Sequence, residues 1–318
     1  MRMMFWRCIP LILIFSFIHA TSSCQGQVEA GFGFGSMQYE GDVGGRSPRL
    51  TDLPLNTTSP PSLSGAFSLS YHPLAFAALR LQGTFGQVQA ADSLLSGISA
   101  APLLKKTRNL HFKSAIREFS LLIEIHPLMF PFSGNPAKGK ISPYVLAGAG
   151  LFGYNPRGLY RDPNGMATWI DLKPLRTEGQ GMAAYPGIAE YKAIAYNMQA
   201  GAGIRWNINN RLAAGVEILF RKTSTDHLDD VSGTFIDNQS FDDFFGAGTL
   251  LAAQAKQMAN NPAYSNGGGY ITGFEPGNLR GSAAAKDYYY TTLLTMRYRF
   301  NWNTSFKKPF RSTACPMY

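Results

Sequence analysis

The sequence predicts an all-β protein, an eight-stranded antiparallel up-and-down β-barrel that spans a membrane. Three observations predict it. Apolar residues recur at every second position in eight segments, the connections between them alternate short and long, and aromatic residues gather near segment ends. A period of two belongs to strands, whose successive side chains face opposite sides. Short turns on one rim and long loops on the other are the habit of membrane barrels.

Composition agrees. The 318-residue chain carries 33 Gly, 13% aromatic residues and only 15% charged residues, fewer charges than average soluble usage. Residues 1–26 read as a secretory leader: Arg2 and Arg7 precede the apolar run Ile9 to Ala20, and small residues follow. The run is too short to cross a bilayer as a helix. Cleavage is expected between Ala20 and Gly26. Lipid attachment at Cys24 is a second reading, but Thr21 stands where a lipobox carries Leu. Removing the leader takes two of the 29 basic residues and leaves 27 against 20 acidic ones, a net of +7. These are scattered rather than clustered with aromatic platforms, which argues against nucleic acid as a partner. Cys8 leaves with the leader, and Cys24 and Cys315 lie at opposite ends, so neither a disulfide framework nor a zinc site is indicated.

The strands follow in order. Gln27 to Tyr39 sets Val28, Ala30, Phe32 and Phe34 against Glu29, Gly31, Gly33, Gly35 and Met37. Leu63 to His72 sets Leu63, Phe67, Leu69 and Tyr71 against Ser64, Ser68, Ser70 and His72. After "HPLAF", Ala77 to Gln89 opposes Leu79, Leu81 and Phe85 to Arg80, Gln82 and Thr84. Ser114 to His126 opposes Phe119, Leu121, Ile123 and Ile125 to Glu118, Ser120 and Glu124, and Pro143 to Asn155 is less regular. Glu190 to Ile208 alternates Ile194, Tyr196, Met198, Ile204 and Trp206 with Asn197, Gln199 and Arg205. Arg211 to Thr223 pairs Leu212, Val216, Ile218 and Phe220 with Glu217 and Arg221. Asp287 to Asn301 sets Tyr288, Tyr290, Leu294, Met296, Tyr298 and Phe300 against Thr291, Thr295, Arg297 and Arg299.

A soluble sandwich also alternates; connection length separates the two. "HPLAF" and "NINNR" are short, and "PLMFPFSGNPAKGK" on the same rim is longer than that pattern wants, whereas the loops at 40–62, 90–113, 156–189 and 224–286 hold roughly 23, 24, 34 and 63 residues. Tyr39, Tyr71, Tyr154, Trp206, Tyr288 and Trp302 near strand ends suggest girdles at the lipid interfaces. Because lipid cannot satisfy an unpaired strand edge, the first and last strands must pair. Both chain ends then meet at the periplasmic rim. The barrel is expected over 27–302, with a basic tail at 303–318.

Eight strands leave a lumen that side chains fill. The inward charges Arg80, Glu118, Glu124, Arg205, Glu217, Arg221, Arg297 and Arg299 carry both signs and are expected to pair. The stretch "RKTSTDHLDDVSGTF" (221–235) gathers Asp226, His227, Asp229 and Asp230. As chemistry, His227 as a general base oriented by Asp226 would make a surface hydrolase, but adjacent residues on an extended end point apart. As a metal site, Asp226, Asp229, Asp230 and Asp237 offer hard oxygens suited to calcium without EF-hand spacing. The third reading, the preferred one, has the aspartates accepting backbone N–H groups and capping turns, with Gly233 at positive φ. No catalytic residue, cofactor or metal is therefore assigned.

"GSMQYEGDVG" (35–44), "RNLHFKS" (108–114), "LRTEGQG" (175–181) and the 221–235 stretch together resemble the PorG-like outer-membrane β-barrel proteins of Bacteroidota, over roughly residues 28–301. The resemblance implies a barrel linked to the type IX secretion system, associated with a periplasmic ring of PorK and PorN type and without catalytic activity. The family motifs fall on Tyr39, Gly41 and Asp42, on Thr177, Glu178, Gly179 and Gly181, and on Lys222, Thr223, Asp229, Asp230, Val231, Ser232 and Gly233. Two departures stand out: an Ala/Gln-rich segment at 245–259, expected to be helical, and the tail past the last strand.

The functional expectation is a non-enzymatic outer-membrane component that anchors or organises a secretion assembly. The alternatives are a small passive channel and the Asp226/His227 hydrolase. Partners are membrane lipids and the ring proteins, with no small-molecule substrate indicated. The tail, with Lys307, Lys308, Arg311, Phe306 and Phe310, reads as a docking peptide or as a disordered end.

Overall fold

The computed structural model describes residues 27–44, 60–74, 76–94, 100–129, 140–261, 272–283 and 286–300. Nine strands follow in chain order: β1 (Gln27–Glu40), β2 (Ser62–Leu74), β3 (Ala77–Ala91), β4 (His111–Ile125), β5 (Ile141–Arg161), β6 (Ala167–Asp171), β7 (Ile194–Asn207), β8 (Leu212–Thr223) and β9 (Tyr288–Phe300). All but β6 form a closed antiparallel up-and-down barrel. The ring closes between β1 and β9, with Val28 opposite Phe300 and Glu40 opposite Tyr288.

The barrel is inside-out relative to a soluble protein. Phe34, Phe67, Phe119, Leu151, Met198 and Leu294 are exposed on the outer wall, while Glu29, Arg80, Glu118, Glu124, Glu217 and Arg221 are buried inside. Only a hydrocarbon solvent rewards that arrangement, and closure leaves no strand edge unpaired in it. The wall crosses a membrane.

Two girdle assignments need correction. Tyr39 and Tyr154 are almost fully buried, because each falls on the inward parity of its strand, beside Met37 and Phe152. Tyr71 and Trp206 do face outward, joined by Tyr298 and Phe300 near the short-turn rim, and Tyr288 is half-buried. The expected leader at 1–26, Cys24, Trp302, Cys315 and the basic tail lie outside the described residues.

The short-turn rim is built locally. Between β7 and β8 the Asn209 carboxamide oxygen accepts from the backbone N–H groups of Arg211 and Leu212, both at 2.8 Å, which folds the chain back within a few residues. The opposite rim carries a folded cap. There β5 continues past the expected end at Asn155 and pairs with β6, Arg157 opposite Asp171 and Arg161 opposite Ala167. Helix α1 (Ala100–Arg108) lies in the loop before β4, and α2 (Asn238–Phe245) and α3 (Leu250–Ala259) lie in the longest loop. Helix α3 falls within the Ala/Gln-rich segment and starts at Thr249, whose hydroxyl accepts from Ala252 N–H at 3.2 Å.

Apolar residues hold the cap down. Tyr160, Leu172, Leu175, Ile236, Phe241 and Met258 form its core. A second cluster, including Met37, Val88, Phe112, Phe152, Leu228 and Val231, fills the barrel mouth. Lumen and cap are thus continuous.

Candidate functional site

The lumen charges lie in three tiers. Nearest the cap, Arg221 Nε donates to both oxygens of Glu118, at 3.0 and 2.8 Å. Asn197 Nδ2 reaches Glu118 at 2.8 Å, and the Tyr289 hydroxyl also donates to it. In the middle tier Arg80 donates to Glu217 at 2.7 Å and also pairs with Glu124. Arg297 spans the same two acids, 2.8 Å from Glu124 and 3.2 Å from Glu217. The Tyr144 hydroxyl donates to Glu217 at 2.8 Å, and its ring lies under the Arg297 guanidinium, 4.8 Å from its centroid.

The tier at the short-turn rim centres on Glu29. Arg205 reaches it at 2.7 Å, Arg299 at 2.8 Å and His72 at 3.3 Å. His126 Nε2 lies 2.8 Å from Glu124. Five arginines thus face four glutamates, and each of these charges has an opposite one within ion-pair distance. Glu29, Tyr144, Tyr289, His72 and His126 extend the eight expected charges, and inward parity in their strands is the signal that points to them. The lumenal cavity beside Arg80 and Arg297 holds only about 10 Å³, at the limit of what a single water needs.

Above the mouth, the motif residues converge from loops far apart in sequence. Asp229 accepts from the Tyr39 hydroxyl at 2.5 Å, from Val43 N–H at 3.0 Å and from Val231 N–H at 3.0 Å. Asp230 accepts from Thr177 and Tyr191 hydroxyls, each at 2.5 Å. Glu178 accepts from the backbone N–H groups of Ser232 at 2.9 Å and Gly233 at 3.0 Å. Asp42 accepts from Ser282 N–H at 2.7 Å. Here Gly179 and Gly181 adopt positive φ, 78° and 67°. Gly41 packs so closely that a Cβ would meet the Tyr39 hydroxyl at 2.0 Å.

Two arginines join these loops, Arg108 at the start of the "RNLHFKS" stretch and Arg280 outside the four motifs. Arg280 donates to Glu178 at 2.9 Å and to the carbonyls of Asp230 and Ala259 at 2.6 and 3.1 Å. Arg108 binds Asp92 at 2.8 Å and the carbonyls of Arg280 and Asp42 at 2.5 and 2.9 Å. Sequence spacing gives no hint of either, since both meet their partners only through the fold.

The positive-φ assignment at 233 is corrected. Gly233 is not left-handed; the residue that is left-handed in this stretch is Asp230, with φ 66°. Aspartate tolerates that region better than most residues, and its side chain is held from two sides.

The four aspartates considered for a metal do not converge. Asp229 and Asp230 are committed as above, and Asp237 caps α2 by accepting from Gln239 N–H at 3.1 Å. The expected divergence of Asp226 and His227 is also corrected: residues 224–230 form a bend rather than an extended end, and both side chains line one outer cavity. They do not make a dyad. The His227 ring stacks on Tyr191 at 4.5 Å, and neither Asp226 oxygen has a hydrogen-bond partner.

Electrostatics follow from this crowding. Burial pushes Asp230 up to about 6 against the opposing pull of Arg280, and burial pushes Asp226 up to about 7 against a lowering influence of Ser232. Burial and the facing Asp229 carboxylate push Asp287 well up. Burial holds His227 below its usual value.

Neither a family model nor a curated protein matches the sequence. Among solved structures, OprG of Pseudomonas aeruginosa is similar at 10% identity and a TM-score of 0.38, over 86% of this chain and 96% of that one. The closed strand pairing and the apolar outer wall give the fold of an outer-membrane β-barrel. A major outer-membrane protein of Thermus thermophilus gives 12% identity and a TM-score of 0.36 over 87% and 100%. Ail of Yersinia pestis, solved with a heparin analogue, gives 10% and 0.34 over 87% and 100%. These likenesses are too distant to carry argument, and the barrel assignment stands on the strand pairings and the apolar outer wall.

Proposed function

We propose that this chain is a non-enzymatic outer-membrane β-barrel that anchors or organises a secretion assembly of the type IX kind, with its short turns and both chain ends in the periplasm and its cap outside the cell. The observation that carries this reading is the closed interior. Paired charges fill the lumen, apolar side chains fill the mouth, and Asp226 and His227 form no catalytic pair. The rims and the outer wall are then the surfaces left for work. The PorG-like motifs support the secretion role, and the residues that carry them build the cap.

A periplasmic ring of PorK and PorN type would reach the short-turn rim, the connection 126–142 and the tail after Asn301. The tail's Lys307, Lys308 and Arg311, interleaved with Phe306 and Phe310, supply charge attraction with aromatic anchors. Affinity purification from native membranes tests this. Ring proteins should come down with the full chain and be lost when it is truncated after Trp302. Recovery of ring proteins with neither chain would end the anchoring role; recovery with both would move docking to 126–142.

A further inference from the structure

One cavity on the outer wall borders the cap network at Ser232 and His227 and lies outside the lumen's ion pairs. It holds about 440 Å³, within the range of small-molecule sites, and lies where β5 and β7 meet the loop after β8. Its floor is Leu151, Ile194 and Tyr196, which stand exposed on the membrane side of the wall. Its other walls are polar: Asp226, His227, Lys192 and Lys286.

Asp226 is the anomaly. It is only 3% exposed, yet neither carboxylate oxygen has a hydrogen-bond partner at normal geometry, the Ser232 side chain being a weak in-chain donor, and His227 Nδ1 is unpartnered. The neighbouring carboxylates of Asp229, Asp230 and Glu178 each accept two or three donors. A buried acceptor left without a donor is costly, so this one is arranged for a donor that arrives from outside the chain. Lys192 and Lys286 set cations on the same cavity. Lys286 spends one N–H on the Ala283 carbonyl at 3.1 Å and keeps others for a ligand.

An acceptor, two cations and a membrane-facing apolar floor match one kind of molecule. We propose that the cavity binds the head group of a membrane phospholipid with a primary ammonium: its phosphate against Lys192 and Lys286, its ammonium donating to Asp226, and its acyl chains along Leu151, Ile194 and Tyr196. The site requires only the barrel and its cap, and stands apart from any secretion role.

The test uses the full chain in detergent, titrated with phosphatidylethanolamine, phosphatidylcholine or phosphatidylglycerol and read by native mass spectrometry. Phosphatidylethanolamine should be retained at least about tenfold better than phosphatidylcholine, whose ammonium has no N–H to donate. The near-isosteric Asp226→Asn should abolish that preference. Lys192→Gln, at an exposed position where folding is safe, should weaken phosphatidylethanolamine and phosphatidylglycerol alike. Heat-modifiable gel migration checks that each variant is folded. Equal retention of the first two lipids, or an unchanged preference in Asp226→Asn, would overturn the proposal. So would stronger binding of phosphatidylglycerol, which would remove the ammonium from the assignment. Competition by free phosphoethanolamine at equal concentration would overturn the lipid assignment in favour of a soluble ligand.

Discussion

The Tyr39 hydroxyl touches Asp229 at 2.5 Å and Asp287 at 2.8 Å, fastening the top of β1 to both ends of the longest loop. A tyrosine has one hydroxyl proton, so two carboxylates around it require a second proton on one of them. Burial and mutual repulsion push both carboxyls up, Asp287 well above its ordinary value. Tyr39→Phe should therefore loosen the cap by about 1–3 kcal/mol, seen as faster hydrogen exchange across 224–283 with the barrel's own strands unchanged.

Two neighbouring acids, Asp226 and Asp230, make the cap sensitive to pH. Their folded pKa values are raised from an ordinary value of 3.8, to about 6 for Asp230 and about 7 for Asp226. Folding therefore favours their protonated forms. The stability this contributes is complete below about pH 4 and is lost as pH rises through 6 to 7. His227, held down by burial, works in the opposite sense below its ordinary value of 6.5, but the carboxylates outnumber it. Limited proteolysis of the cap should be slower at pH 5 than at pH 8, and Asp226→Asn should flatten the difference.

Much of this architecture is legible in the sequence, and the parts that are not have physical reasons. Parity alone sends Arg80, Glu124 and Arg297 inward, since a one-residue slip would put them in lipid. The same parity sends Tyr39 and Tyr154 inward, so proximity to a strand end is a poor guide to girdles when it disagrees with alternation. The cap is different. Arg108, at the end of α1 beside Lys105 and Lys106, and Arg280 lie 172 positions apart, with no period or spacing to pair them, and α2 has too few residues to show one. The left-handed residue is Asp230 rather than the nearby Gly233 because side-chain bonds to Thr177 and Tyr191 hold it there.

Asp230→Ala removes both those bonds and the residue type that tolerates φ 66°. Each lost charged hydrogen bond is worth about 1.5–3 kcal/mol locally. Nicking within 224–286 should rise while heat-modifiable barrel migration persists. Asp230→Asn, which keeps the left-handed preference, should nick less. Calcium should protect neither the variants nor the wild type, and strong protection of the wild-type loop would reopen the metal reading.

In the lumen, Glu217→Gln takes a carboxylate from Arg80, Arg297 and Tyr144 at once. Breaking a buried pair by removing one partner costs about 3–5 kcal/mol. The urea midpoint of the folded band should fall accordingly. The double variant Arg80→Leu with Glu217→Leu should lose less than the two single variants added together.

The central claim is that this barrel is closed to solutes, and single-channel recording of the purified full chain in a planar bilayer tests it most directly. A lumen held shut by Arg80, Glu124, Glu217 and Arg297 beneath a sealed mouth should give a quiet baseline with no stable steps. Steady ohmic steps of uniform size from the folded wild-type chain would contradict it.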